Sequence, residues 1–80
     1  MDPLQMVLEE RSRQDQKWGE QNHRDLKWLA ILAEEVGEAS AAILEGRPAD
    51  VRTEVVHACA VALAWLECRE RNGGEGRDGA

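Results

Sequence analysis

Neither tyrosine nor phenylalanine occurs in this chain, and three tryptophans are its only aromatic residues. Strands draw on aromatic and β-branched residues in alternation, and no segment alternates over a useful length, so a β architecture is excluded as the main fold. Two cysteines, Cys59 and Cys68, are too few for a disulfide framework. On one helix they would stand about 13 Å apart along its axis, beyond the reach of a bridge. They read as free thiols of a reducing compartment. The longest uninterrupted apolar run, Ala58 to Leu66, has nine residues, well below the ~20 of a membrane span. Met1-Asp2-Pro3 lacks the basic and apolar regions of a signal peptide. The expectation is a cytoplasmic protein with no membrane partner. Positive charge is also scarce: ten Lys and Arg face sixteen Asp and Glu, for a net charge of -6. That argues against nucleic acid as a partner. A polyanion would need a metal ion between itself and these acids.

The 80 residues present are 42% hydrophobic and 32% charged, which fits one small folded domain and not a disordered chain. A chain of this length buries only about 60% of its unfolded surface, and oligomerisation is one remedy.

Helix signals recur three times. Asp2-Pro3 offers an N-cap followed by proline at the first helical position, so a first helix is expected from about Pro3 to Lys17. Its apolar face is thin: Leu4, Val7 and Leu8, then nothing until Trp18. The segment WGEQNHR, residues 18–24, reads as a loop because Gly19 and Asn22 break the pattern. Asp25 can cap a second helix running to about Glu45, with Leu29, Leu32, Val36, Ala39 and Ile43 on one face. Gly46 stands where a left-handed residue ends a helix, and Pro48 prevents continuation. A third helix is expected from Pro48–Val51, with Asp50 as a candidate cap, to about Arg71. From Val55 to Leu66 it reads VVHACAVALAWL, apolar on nearly all sides. Two helices of one short chain can hardly cover it, so a dimer or higher oligomer is expected. A helical domain over residues 1–72 and a disordered glycine-rich tail over 73–80 complete the expected organisation.

The second helix carries Glu34, Glu35 and Glu38 in an apolar surround. Spacings of three and four bring their carboxylates to one patch. Glu54 and His57, three apart on the third helix, face one way at the start of its apolar run. Antiparallel packing across Gly46–Pro48 puts Glu38 and Glu54 within about 0–3 Å of one height. Four carboxylates and an imidazole thus gather at one level. Hard oxygen donors suit Mg²⁺ or Mn²⁺, and a mixed Glu/His set also admits iron. Gly37, in mid-helix, costs roughly 1 kcal/mol relative to alanine. Close helix packing, or room beside the carboxylates for a ligand, would justify it.

The pattern Glu34-Glu35-Val36-Gly37-Glu38, a spacer of fifteen residues, then Glu54 resembles the acidic motifs E-E-x-x-E and E-x-x-D of the all-α nucleoside triphosphate pyrophosphohydrolases. These are the MazG-like proteins and the related dimeric dUTPases and dCTP pyrophosphatases. His57 stands where that family has Asp. Upstream, Trp18, His23 and the leucine-containing run into the acidic motif resemble the dCTP pyrophosphatases, and the likeness spans roughly residues 13–70. The resemblance implies an all-α fold, three helices per chain forming four-helix-bundle cores by dimerisation or in a tetramer. It implies attack of water on the α-phosphorus of a nucleoside triphosphate substrate, releasing pyrophosphate and a monophosphate. Glu35, Glu38 and Glu54 would hold Mg²⁺, with Mn²⁺ as substitute. His57 takes the last ligand's place, and Glu34 would orient or deprotonate the water. Trp18 would stack on a base, Asn22 and His23 would hydrogen-bond the nucleotide, and Lys17 would meet phosphate. Trp28 and Trp65 read better as core. Two other readings stand beside this one. Glu54-Val55-Val56-His57 is a Glu-x-x-His motif of ferritin-like di-iron bundles. A non-catalytic helical interaction module is the other.

Overall fold

The computed structural model describes residues 1–73; the glycine-rich stretch expected to be disordered lies, from residue 74 on, outside the described residues. The described chain is all helical: α1 (Pro3–Trp18), α2 (Asp25–Leu44) and α3 (Pro48–Arg71), with no strand among the described residues. No described helix is long and apolar enough to cross a membrane.

Local chemistry accounts for most of the boundaries. Asp2 accepts from the backbone N–H of Leu4 at 2.9 Å and caps α1, with Pro3 behind it in the first turn. Gly19 ends α1 at φ 74°, and Gly46 ends the α2 turn at φ 69°, both in the region that favours glycine. Two expected caps are not caps. Arg24 is the N-cap residue of α2, without a side-chain hydrogen bond, and Asp25 is already helical. The Asp25 carboxylate instead accepts from Trp65 Nε1 at 2.8 Å and from Arg69. At the start of α3, Arg47 occupies the N-cap and Asp50 pairs with its guanidinium.

α3 is the central element: α1 and α2 each pack on it rather than on one another. α2 runs antiparallel to α3 across the turn at 45–47, so Asp25 at one end meets Trp65 at the other. α1 runs with α3; Met6 meets Arg52 early, and Arg11 pairs with Glu67 further along. The core is small. Trp28, Val61, Ala64 and Cys68 are buried, with Ile31, Leu32 and Trp65 packed against them. Both cysteines are free thiols, Cys68 buried and Cys59 exposed. Much apolar surface stays uncovered. On α2, Leu29, Val36 and Ile43 recur every seven residues and are each at least half exposed; on α3, Val55 and Leu66 are exposed as well. Gly37 faces open space, since a Cβ built there would meet nothing within 4 Å. Helix packing within the chain therefore does not explain that glycine.

Candidate metal centre

Because the backbones of α1 and α2 pack on α3 and not on each other, a groove of about 440 Å³ opens between them. Its floor is α3, through Glu54, His57, Val61 and Ala64. One wall is α2, through Trp28, Ile31, Glu34, Glu35 and Glu38; the other is α1, through Glu10, Arg13, Gln14, Lys17 and Trp18. The helical spacings of α2 and α3 therefore deliver the acids to one place, as their matched heights require.

Glu35, Glu54 and His57 each offer a donor atom, and the three atoms lie within 4.8 Å of one another. His57 Nδ1 is 3.6 Å from Glu54 Oε2 and 3.8 Å from Glu35 Oε2. Both of those oxygens are buried and have no hydrogen-bond partner. An orphaned buried carboxylate oxygen is costly, so each one asks for a cation or a proton. Burial pushes the Glu35 carboxyl above its usual range, and the neighbouring Glu38 charge pushes it further. Glu38 is also pushed up, first by the facing Glu54 carboxylate and then by desolvation. Both shifts mark a site that holds more negative charge than it can easily keep. A set of carboxylate oxygens with one imidazole fits a divalent cation: oxygen suits Mg²⁺ and Mn²⁺, and the nitrogen widens the choice to other first-row ions.

The remaining candidates divide. Glu34 and Glu38 are exposed on the α2 flank of the groove. Trp18 lies at the α1 end of the groove, 56% exposed, with Lys17 Nζ 4.5 Å from the centre of its ring. Asn22 and His23 do not line the groove. Asn22 ties the loop to the end of α3, accepting from Arg71 Nη2 at 3.0 Å, while its amide donates to Glu20 at 3.1 Å. His23 packs edge-on to Trp28 at 4.9 Å and contacts Gln21 through Nε2 at 3.0 Å. Burial, aided by Lys27, lowers its pKa. Trp28 is 2% exposed, as a core residue should be, yet its indole N–H has no partner.

Glu10 of α1 was not among the sequence candidates. Its Oε2 lies 3.6 Å from His57 Nε2, and its side chain is only 10% exposed. Arg13 grips both of its oxygens, at 2.8 and 2.6 Å, and Gln14 donates to one at 3.4 Å. Arg13 lowers the Glu10 pKa, against the opposing effect of burial. The signal was in the spacing: Val7, Glu10, Arg11 and Gln14 continue one α1 face at intervals of three and four.

No protein-family model, no curated protein and no solved structure matches this chain.

Proposed function

We propose that the chain is a metal-dependent nucleoside triphosphate pyrophosphohydrolase that works as a homo-oligomer, most simply a dimer. The observation that carries this reading is the pair of orphaned buried oxygens on Glu35 and Glu54 beside His57, in a groove of about 440 Å³. Glu35, Glu54 and His57 would hold the cation, with Glu38 alongside. A divalent cation there supplies charge neutralisation for a triphosphate and lowers the pKa of water. Glu34, exposed on the groove's flank, takes the proton from the attacking water. The water oxygen bonds to the α-phosphorus, and the bond from that phosphorus to the bridging oxygen of pyrophosphate breaks. Trp18 gives the base an apolar face, and Lys17 brings a positive charge to the acidic groove. The resemblance of the acidic motifs to the MazG-like proteins supports the same reaction class. Asn22 and His23 are spoken for by the loop's own contacts, so they drop out as nucleotide contacts in this reading.

Exposed apolar surface supports the oligomer in this reading. Leu29, Val36 and Ile43 form an outward stripe on α2, with Gly37 beside them allowing close approach of a second helix. The same exposed surface is what favours the second reading, a non-catalytic interaction module. Release of pyrophosphate from a panel of ribo- and deoxynucleoside triphosphates, with Mg²⁺, Mn²⁺ or a chelator present, separates the two. Cation-dependent release is expected; none from any nucleotide would leave the interaction module.

A further inference from the structure

We infer that Glu10 is a positioning residue for His57: it holds the Nε2 edge of the ring, so that the centre receives its nitrogen donor through Nδ1. The inference rests on the reading that Glu35, Glu54 and His57 hold a divalent cation.

The two ring nitrogens face different partners. Nδ1 looks to Glu35 and Glu54, at 3.8 and 3.6 Å, and Nε2 looks to Glu10, at 3.6 Å. Glu10 comes from α1, while the other two acids come from α2 and α3. It sits at the opposite edge of the ring, so an ion held by Nδ1 with Glu35 and Glu54 leaves Glu10 to serve Nε2. Nor is Glu10 free to swing. Arg13 grips both of its oxygens and Gln14, itself buried, holds one of them. Arg13 and Gln14 thus hold the carboxylate in place beside the ring before any ligand arrives. The gap of 3.6 Å is longer than a direct hydrogen bond by roughly 0.5 Å, so it is the His57 ring, not the tethered Glu10, that must shift when the ion binds. Once closed, Nε2–H donates to Glu10, and the Nδ1 lone pair is left to face Glu35, Glu54 and the ion. A carboxylate behind an imidazole ligand fixes the tautomer and raises ligand basicity in just this way. The ion favoured by such a donor is one that accepts nitrogen, Mn²⁺ or Zn²⁺ before Mg²⁺.

The test uses Zn²⁺ and Mn²⁺ as probes on the full chain. Calorimetry compares wild type, Glu10→Ala and Glu10→Gln, each also in a His57→Asp background, with circular dichroism recording helix content. Glu10→Ala is expected to weaken Zn²⁺ and Mn²⁺ binding about 10–100-fold, as loss of such a partner does elsewhere. Glu10→Gln, whose amide oxygen still accepts from Nε2–H, is expected to lose less. In the His57→Asp background Glu10→Ala should change affinity little, because Glu10 acts through the ring. The chain has two histidines, so imidazole nitrogen NMR resolves the ring directly. With Zn²⁺ bound, Nδ1 of His57 should carry the ion and Nε2 the proton. Zinc on Nε2, or a Glu10→Ala loss of equal size with and without His57, would overturn the inference. Undiminished binding in Glu10→Ala would also overturn it, while leaving the metal centre standing. A wild type that binds neither ion would remove the metal reading itself, and this inference with it.

Discussion

The indole N–H of Trp65 donates to Oδ1 of Asp25 at 2.8 Å, joining the last part of α3 to the first residue of α2. Arg69 meets the other oxygen of the same carboxylate. The residue that looked like a helix cap therefore closes the end of the helical hairpin. Asp25→Ala removes two hydrogen bonds to a charged group, and a loss of about 2–3 kcal/mol is expected, since Arg69 is partly solvated. Asp25→Asn keeps one acceptor and should lose about half of that. Urea titration followed by far-ultraviolet circular dichroism measures both.

Removing a carboxylate from the centre has the opposite sign. The folded-state pKa values of Glu35 and Glu38 are both raised, that of Glu35 by burial and then by Glu38, that of Glu38 chiefly by Glu54. Stability from a raised carboxyl is fully present below the unfolded value of about 4.3 and is lost as pH rises through the folded value. Metal-free protein should therefore become more stable as pH falls from neutral toward the carboxylate range. Glu10, whose pKa is lowered, works the other way and limits the gain at the acid end, its contribution being lost as pH falls through its folded value. At neutral pH, metal-free Glu35→Gln should melt at the same temperature as wild type or higher, with a flatter pH profile, while cation-dependent hydrolysis disappears. Thermal melts across pH, run beside the hydrolysis assay, check both halves.

Association is the third expectation. Sedimentation velocity at micromolar concentration should give a mass at least twice the chain's 8.9 kDa. Val36→Glu and Ile43→Glu place charge on a face that already lies open in the single chain, so they should dissociate the assembly without unfolding α2. A stable, well-folded wild-type monomer would refute the oligomer.

His57→Asp exchanges the imidazole for a carboxylate. An all-oxygen set suits a harder ion, so the ratio of Mg²⁺- to Mn²⁺-supported pyrophosphate release should rise above that of wild type. An unchanged ratio would place His57 outside the cation's reach.

Much of this arrangement was legible in the residues. Asp2-Pro3 and Gly46 mark helix ends because their chemistry is local. Glu35, Glu38, Glu54 and His57 were placed together by two regular spacings and one short turn. Other features depend on tertiary contacts. The inward face of α1 turns polar after Val7, at Glu10, Arg11 and Gln14, so an apolar stripe could not reveal its register. Asp25 has the composition of a cap, and only the arrival of Trp65 and Arg69 from 40 residues or more away gives it another task. Asn22 and His23 read as free loop groups because Arg71, Cys68 and Trp28, which engage them, are distant or hidden in helical patterns.

Hydrolysis in oxygen-18 water tests the central claim most directly. With Mn²⁺ or Mg²⁺ present, the products of a nucleoside triphosphate should be the monophosphate and pyrophosphate, with one labelled oxygen in the monophosphate, because water attacks the α-phosphorus. Label appearing only in pyrophosphate or orthophosphate, or no cation-dependent turnover of any nucleotide, would contradict it.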